Sequence, residues 1–262
     1  MRDVFKDLED RLPLLADRLE DDTVWDELTP AERYAVGAWA RAVVDDLPDE
    51  LLASCDTMGD LATWVEQAAA HGRFHPGRRY PRRELAGDGI ALRPLRADHV
   101  PILYESAFTG ERSWKWRFRG RTVPYETFAA MLHEGVFAQY AVESTVGPPS
   151  LLGLVSAYDA DTACGHCYVA FHNTGVHHPA SGRMFGAIIG FMDHLFHVSP
   201  FRKLYLDIPE YNVGLLRGFE GLLMVEEGRL REHYFLGGRF HDRIVYAVYR
   251  EAFAPMSEAW YV

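Results

Sequence analysis

The stretch from His166 to Asn212 constrains the chain more than any other. His166 to His172 alternates small or apolar residues with polar and aromatic ones, as a strand with two unlike faces does. Pro179, Ser181 and Gly182 then end the strand and bare backbone N–H groups. A helix follows at once, because Met184, Ile188, Phe191 and Leu195, with Phe185, Met192 and Phe196 beside them, recur at helical spacing until Pro200. Leu204, Leu206 and Ile208 alternate with Tyr205 and Asp207 as a second strand, closed by Pro209-Glu210-Tyr211-Asn212. The helix start offers free N–H groups and the positive dipole end to an anion such as phosphate, and Arg183 would add a charge there.

The turn Ser181-Gly182-Arg183-Met184-Phe185-Gly186, the helix, the strand Lys203 to Ile208 and Asn212 resemble the acyl-coenzyme A core of the GCN5-related N-acetyltransferases, the GNAT family. Glu226 to His233, Gly237 to Asp242 and Val245 to Arg250 resemble the last two strands of its ribosomal-protein acetyltransferase branch. The likeness runs over roughly residues 88 to 253. It implies a mixed α/β fold, a central and mostly antiparallel sheet flanked by helices, binding acetyl-CoA or another acyl-CoA. The implied cofactor contacts are the backbone of Val169, Ala170 and Phe171, the turn residues Ser181, Gly182, Arg183, Met184, Phe185 and Gly186, and the side chain of Asn212. Two positions depart from the family pattern. Met184 stands where a glycine is usual, so close backbone approach to a pyrophosphate is harder. Phe219 stands where many relatives have an acidic tyrosine, and it has no hydroxyl.

The implied reaction is direct attack of an amine on a thioester, which needs a base, oxyanion donors and positioning. Base candidates are Asp159, Glu210 and His172, in that order, since a carboxylate in an enclosed cleft has its pKa raised by desolvation. Tyr211 is a candidate replacement acid. The expected acceptor is a small-molecule amine, flanked by the aromatic and basic run Trp114-Lys115-Trp116-Arg117-Phe118-Arg119.

Charge divides the chain. Residues 1–70 hold 18 acidic and 6 basic residues, against 20 and 21 in the remainder, which speaks against a nucleic-acid partner for the first part. The expected organisation is a helical domain at 1–70, a Gly-, Pro- and Arg-rich linker at 71–88, and the acyltransferase domain at 89–262. Trp25 to Leu28, the helix after Pro30, Asp46 to Leu51 and Thr57 to Leu61 look like an acyl carrier protein, with Glu32 or a near neighbour where the pantetheinylated serine belongs. That suggests an acyl carrier protein as an alternative donor or partner; a plain helical cap is the competing account, and a non-catalytic scaffold is a third. Cys164-Gly165-His166-Cys167 spells a redox motif, but strand-like residues follow it where a helix N-terminus is needed. No metal site is expected. No apolar run approaches membrane-spanning length and the first residues are charged, so a cytoplasmic protein is expected, monomer or homodimer.

Overall fold

A computed structural model describes residues 2–11, 20, 22–28, 30–44, 47, 51, 54–75, 86–87, 89–109, 113–175, 183–215 and 223–254. Its centre is an eight-stranded sheet in the order β1-β2-β3-β4-β5-β6-β8-β7. The strands are β1 (Ala86–Gly87), β2 (Ile90–Arg93), β3 (Val136–Ser144), β4 (Leu151–Asp161), β5 (His166–Asn173), β6 (Lys203–Pro209), β7 (Met224–Leu236) and β8 (Arg239–Tyr249). Every neighbouring pair is antiparallel except β5 and β6. This is the mixed α/β, mostly antiparallel arrangement expected above.

Helices cover the two faces. Helix α6 (Arg183–Val198) lays Ile188, Phe191, Met192 and Leu195 over Cys167, Val169, Leu204 and Leu206, forming the larger core. The apolar stripe read at helical spacing is the buried one, as a helix with one core-facing side requires. On the other face, α4 (His99–Phe108) and α5 (Tyr125–Met131) pack Leu103, Ala107 and Phe128 against Ala141, Leu151 and Leu154. Arg250 closes the far end of α6, its guanidinium donating to the carbonyls of Phe196, Ser199 and Phe201.

The first part of the chain has a core of its own. Helices α1 (Arg2–Arg11), α2 (Pro30–Val43) and α3 (Met58–Ala70) enclose Leu8, Val36, Trp39, Met58, Leu61 and Val65, none of which belongs to the sheet cores. Trp39 Nε1 donates to Asp7 Oδ2 at 2.7 Å, and Thr57 with Asp60 forms a capping box at α3. Phe74 still packs on this cluster and bridges Val44, so contacts of the helical unit run past residue 70. Residues 76–85 of the expected linker lie outside the described residues. Glu32, at the position where a carrier would offer its serine, is buried in the first turn of α2 with 2% exposure. No helix among the described residues is long and apolar enough to cross a membrane.

Candidate functional site

The site begins where two parallel strands part. β5 and β6 pair through His166–Lys203, Cys167–Leu204 and Tyr168–Tyr205, and the ladder stops there although both strands continue. Thr174 donates to the Leu152 carbonyl at 2.9 Å, which sets the alternation of the β4–β5 ladder. By that alternation Val169, Phe171 and Asn173 turn their N–H and C=O groups towards the gap beside β6, while Ala170 and His172 turn theirs towards β4. Of the three backbone contacts implied by the resemblance, Val169 and Phe171 therefore present backbone groups and Ala170 presents its methyl group. The gap opens into a cleft of about 650 Å³ lined by β4, β5, β6, Asn212 and the segment 115–119.

Asp159 lines the cleft from β4. The β4–β5 register shifts between Tyr158 and Asp161, and Asp159 sits in that bulge with φ +47, a left-handed conformation unusual for a residue with a Cβ. Its side chain is exposed. Beside it, burial pushes the Tyr158 hydroxyl up to about 12, reinforced by the charges of Asp207 and Asp159, so that phenol keeps its proton at neutral pH. Asp207 is held by Arg243 through contacts of 2.7 Å at both oxygens.

His172 also lines the cleft, but its ring is engaged. It is buried, stacked on Trp116 at 4.0 Å between centroids, and lies 2.7 Å from Ser106 Oγ through Nε2. Ser106 Oγ in turn lies 3.0 Å from the Leu103 carbonyl; if its single proton goes there, Nε2 must be the donor in the His172 contact. Glu210 and Tyr211 are placed elsewhere. Glu210 turns to β8, accepting from the Asp242 backbone at 3.4 Å and lying 3.9 Å from His241. Tyr211 donates its hydroxyl to the Trp114 carbonyl at 3.1 Å, and burial raises its pKa.

The segment 113–121 crosses the mouth as a strap. Asn212 Nδ2 donates to the Lys115 carbonyl at 3.2 Å, Trp116 stacks on His172, and Arg119 reaches Tyr234 of β7. It thus touches β5, the end of β6 and β7 at once. Asn212 is buried, and its Oδ1 has no partner among the described residues.

The helix start is described from Arg183 onward; Ser181, Gly182 and the preceding residues 176–180 lie outside the described residues, as does Phe219. Arg183 is buried, and the space a side chain at Gly89 would occupy is 3.4 Å from its Nε. Met184 packs its thioether over β4: an atom added at Gly153 would meet Met184 Sδ and Cε at 2.8 Å. Phe185 packs partly buried on the main core and Gly186 is buried within α6. The cysteine pair is a turn and a strand: Cys164 is exposed, Cys167 is enclosed in β5, and burial pushes the Cys167 thiol up to about 12. No group of three metal-binding side chains occurs among the described residues.

Solved structures with the same fold include N-acetyltransferases. The spermidine N-acetyltransferase of Vibrio cholerae, in complex with CoA and spermine, matches with a TM-score of 0.56 at 18% identity, over 64% of this chain and 99% of its own. The chain has the GNAT acyltransferase fold. A SpeG chimera from Vibrio cholerae and hSSAT matches equally fully, with a TM-score of 0.54 at 17% identity over 63% of this chain and 98% of its own. No family model and no curated protein matches the sequence. The acyltransferase fold accounts for the parted strands, and about a third of this chain, enough for the helical unit, lies beyond the matched part.

Residues that sequence reasoning passed over are Ser106, Glu134, Asp207 with Arg243, and Tyr234, the partner of Arg119. Only Asp207 had a readable signal, since strand alternation puts it on the same face as Tyr205.

Proposed function

We propose that the protein transfers an acyl group from acyl-coenzyme A to the amine of a small molecule. The observation that carries this is the parting of β5 and β6 after Tyr168 and Tyr205, which leaves backbone groups of Val169 and Phe171 facing a cleft in a fold whose neighbours include an N-acetyltransferase holding CoA. An extended pantetheine arm carries two amides, and a bare strand edge is suited to pair with them. The start of α6, from Arg183 to Gly186, is the proposed pyrophosphate site, since free N–H groups and the positive dipole end of a helix favour an anion.

Asp159 is the proposed base. Of Asp159 and Glu210 it is the carboxylate that lines the cleft, and it is exposed there. The amine nitrogen forms a bond to the acyl carbon as the C–S bond breaks. Asp159 takes the ammonium proton, directly or through water, and the thiolate leaves to be protonated from solvent or by a tyrosine. Tyr158, whose pKa of about 12 keeps it protonated, is the nearer acid, replacing Tyr211 in that role. His172 is proposed to position Trp116 and hence the strap, and Asn212 to hold the strap through Lys115.

The test is thiol release from acetyl-CoA across a library of primary amines, with the same acyl group on a carrier protein as a parallel donor. Amine-dependent thiol release from the coenzyme A donor supports the proposal; release from the carrier-bound donor alone replaces it with a carrier-dependent transferase. No release with either donor, in a folded protein that binds acetyl-CoA, turns the reading to a binding protein.

A further inference from the structure

Charge around the acceptor side of the cleft is unevenly neutralised. Asp207 is matched by Arg243. Lys115, Arg117 and Arg119 all line the cleft, all are exposed, and none has an ion-pair partner among the described residues. Arg117 donates one N–H to the Met131 carbonyl at 3.0 Å, and Arg119 donates one to the Tyr234 hydroxyl at 2.7 Å. A guanidinium has five donors and an ammonium three, so most of the strap's donors are unspent.

Arg119 is also held in place. Its φ is +50, Gly120 follows at φ +78 with the Trp114 ring against it, and the guanidinium lies 3.8 Å from the centroid of Tyr234. A cation stacked and hydrogen-bonded in this way keeps its planar fork oriented for an anion. The carboxylates lining the cleft that have no ion-pair partner among the described residues are Asp159 and Glu134. The cleft therefore carries three unmatched cations against two unmatched anions.

We propose that the acceptor is an amine bearing an anionic group, a carboxylate or a phosphate. Its nitrogen lies towards Asp159 and its anion is met by Arg119 and Lys115. This rests on the acyl-transfer reading above. It sets the chain apart from the neighbour that binds spermine, because a second ammonium would meet the strap's cations at short range.

The experiment is steady-state thiol release from acetyl-CoA with matched primary amines ending in a carboxylate, a phosphate, a carboxamide or a second ammonium. It is run on the full chain and on Lys115→Gln, Arg119→Gln, the double variant and Tyr234→Phe, with circular dichroism as a folding check. The anionic amines are expected to exceed the carboxamide in kcat/KM by roughly 10-fold or more, the scale of a charged hydrogen bond. That preference should shrink in each single variant, vanish in the double one, and survive in Tyr234→Phe, which keeps the cation. Whichever anion is preferred identifies the group. Equal or better turnover of the carboxamide or diamine overturns the proposal, and so does a preference that persists in the folded double variant. Thiol release that none of the amines stimulates overturns the acyl-transfer reading itself, a result distinct from release stimulated by the wrong amines.

Discussion

Asp159, the proposed base, owes its place to where its backbone bends. A regular strand would leave residue 159 in step with the ladder, whereas the bulge rotates it out and holds it at φ +47. Asp159→Asn removes the proton acceptor with little change in shape. It should lower kcat for amine acylation by about 10²- to 10⁴-fold, the usual range for a general base, while leaving the Kd for acetyl-CoA unchanged. Steady-state kinetics beside calorimetry checks both. Gly153 is a second single-residue constraint. A Cβ there collides with the His172 carbonyl and with the Met184 thioether, so Gly153→Ala should cost about 1–3 kcal/mol in urea denaturation, as overpacking does. Met184→Ala should not restore it, because the collision with backbone remains. Met184, which replaces an expected glycine, is thus matched by a glycine on the strand it packs against, a pairing that no local pattern in the sequence discloses.

Among the elements, the β7–β8 pair depends on a carboxylate cluster. Glu227 accepts from Lys203 at 2.9 and 2.7 Å, from Tyr205 at 2.9 Å and from Tyr249. Burial works to raise its pKa, but these hydrogen bonds outweigh it and hold the carboxyl below the ordinary glutamate range. The Glu232 backbone N–H and then Arg229 do the same for Asp242, and Arg229 for Glu226. A group with a depressed folded-state pKa stabilises the fold above its unfolded value, and that contribution is lost as pH falls through the folded one. Thermal stability should therefore drop as pH falls below about 4, and Glu227→Gln should have a lower Tm at neutral pH with a shallower acid dependence. Melting curves between neutral and acid pH read this out. At this scale the sequence was highly legible: β5, α6 and β6 emerge from periodicities of two and 3.6, and the Gly237-Gly238 turn marks the last hairpin. The contacts that build the site were not. Ser106 and His172 are 66 positions apart, Arg119 and Tyr234 are 115, and Asp207 and Arg243 are 36, and only the register of eight strands brings them together.

Among the described residues the whole molecule has one helical core and two sheet cores that share no residue. The charge imbalance of residues 1–70 suggests a boundary near residue 70, and Phe74, which packs on the helical core, lies past it. Trp39 is 3% exposed at the centre of the helical core, so Trp39→Ala should destabilise that unit by about 3–5 kcal/mol. Hydrogen exchange should then show lost protection across α1 to α3 with protection retained in β3 to β6. The central claim, that the parted strands hold an acyl-coenzyme A, is tested most directly by calorimetric titration of the purified chain with acetyl-CoA, beside Ala170→Trp, which fills the cleft from β5. Saturable binding at one site per chain, abolished in the folded Ala170→Trp variant, is the predicted result. No binding to the unaltered chain, or binding that the tryptophan leaves untouched, would contradict it.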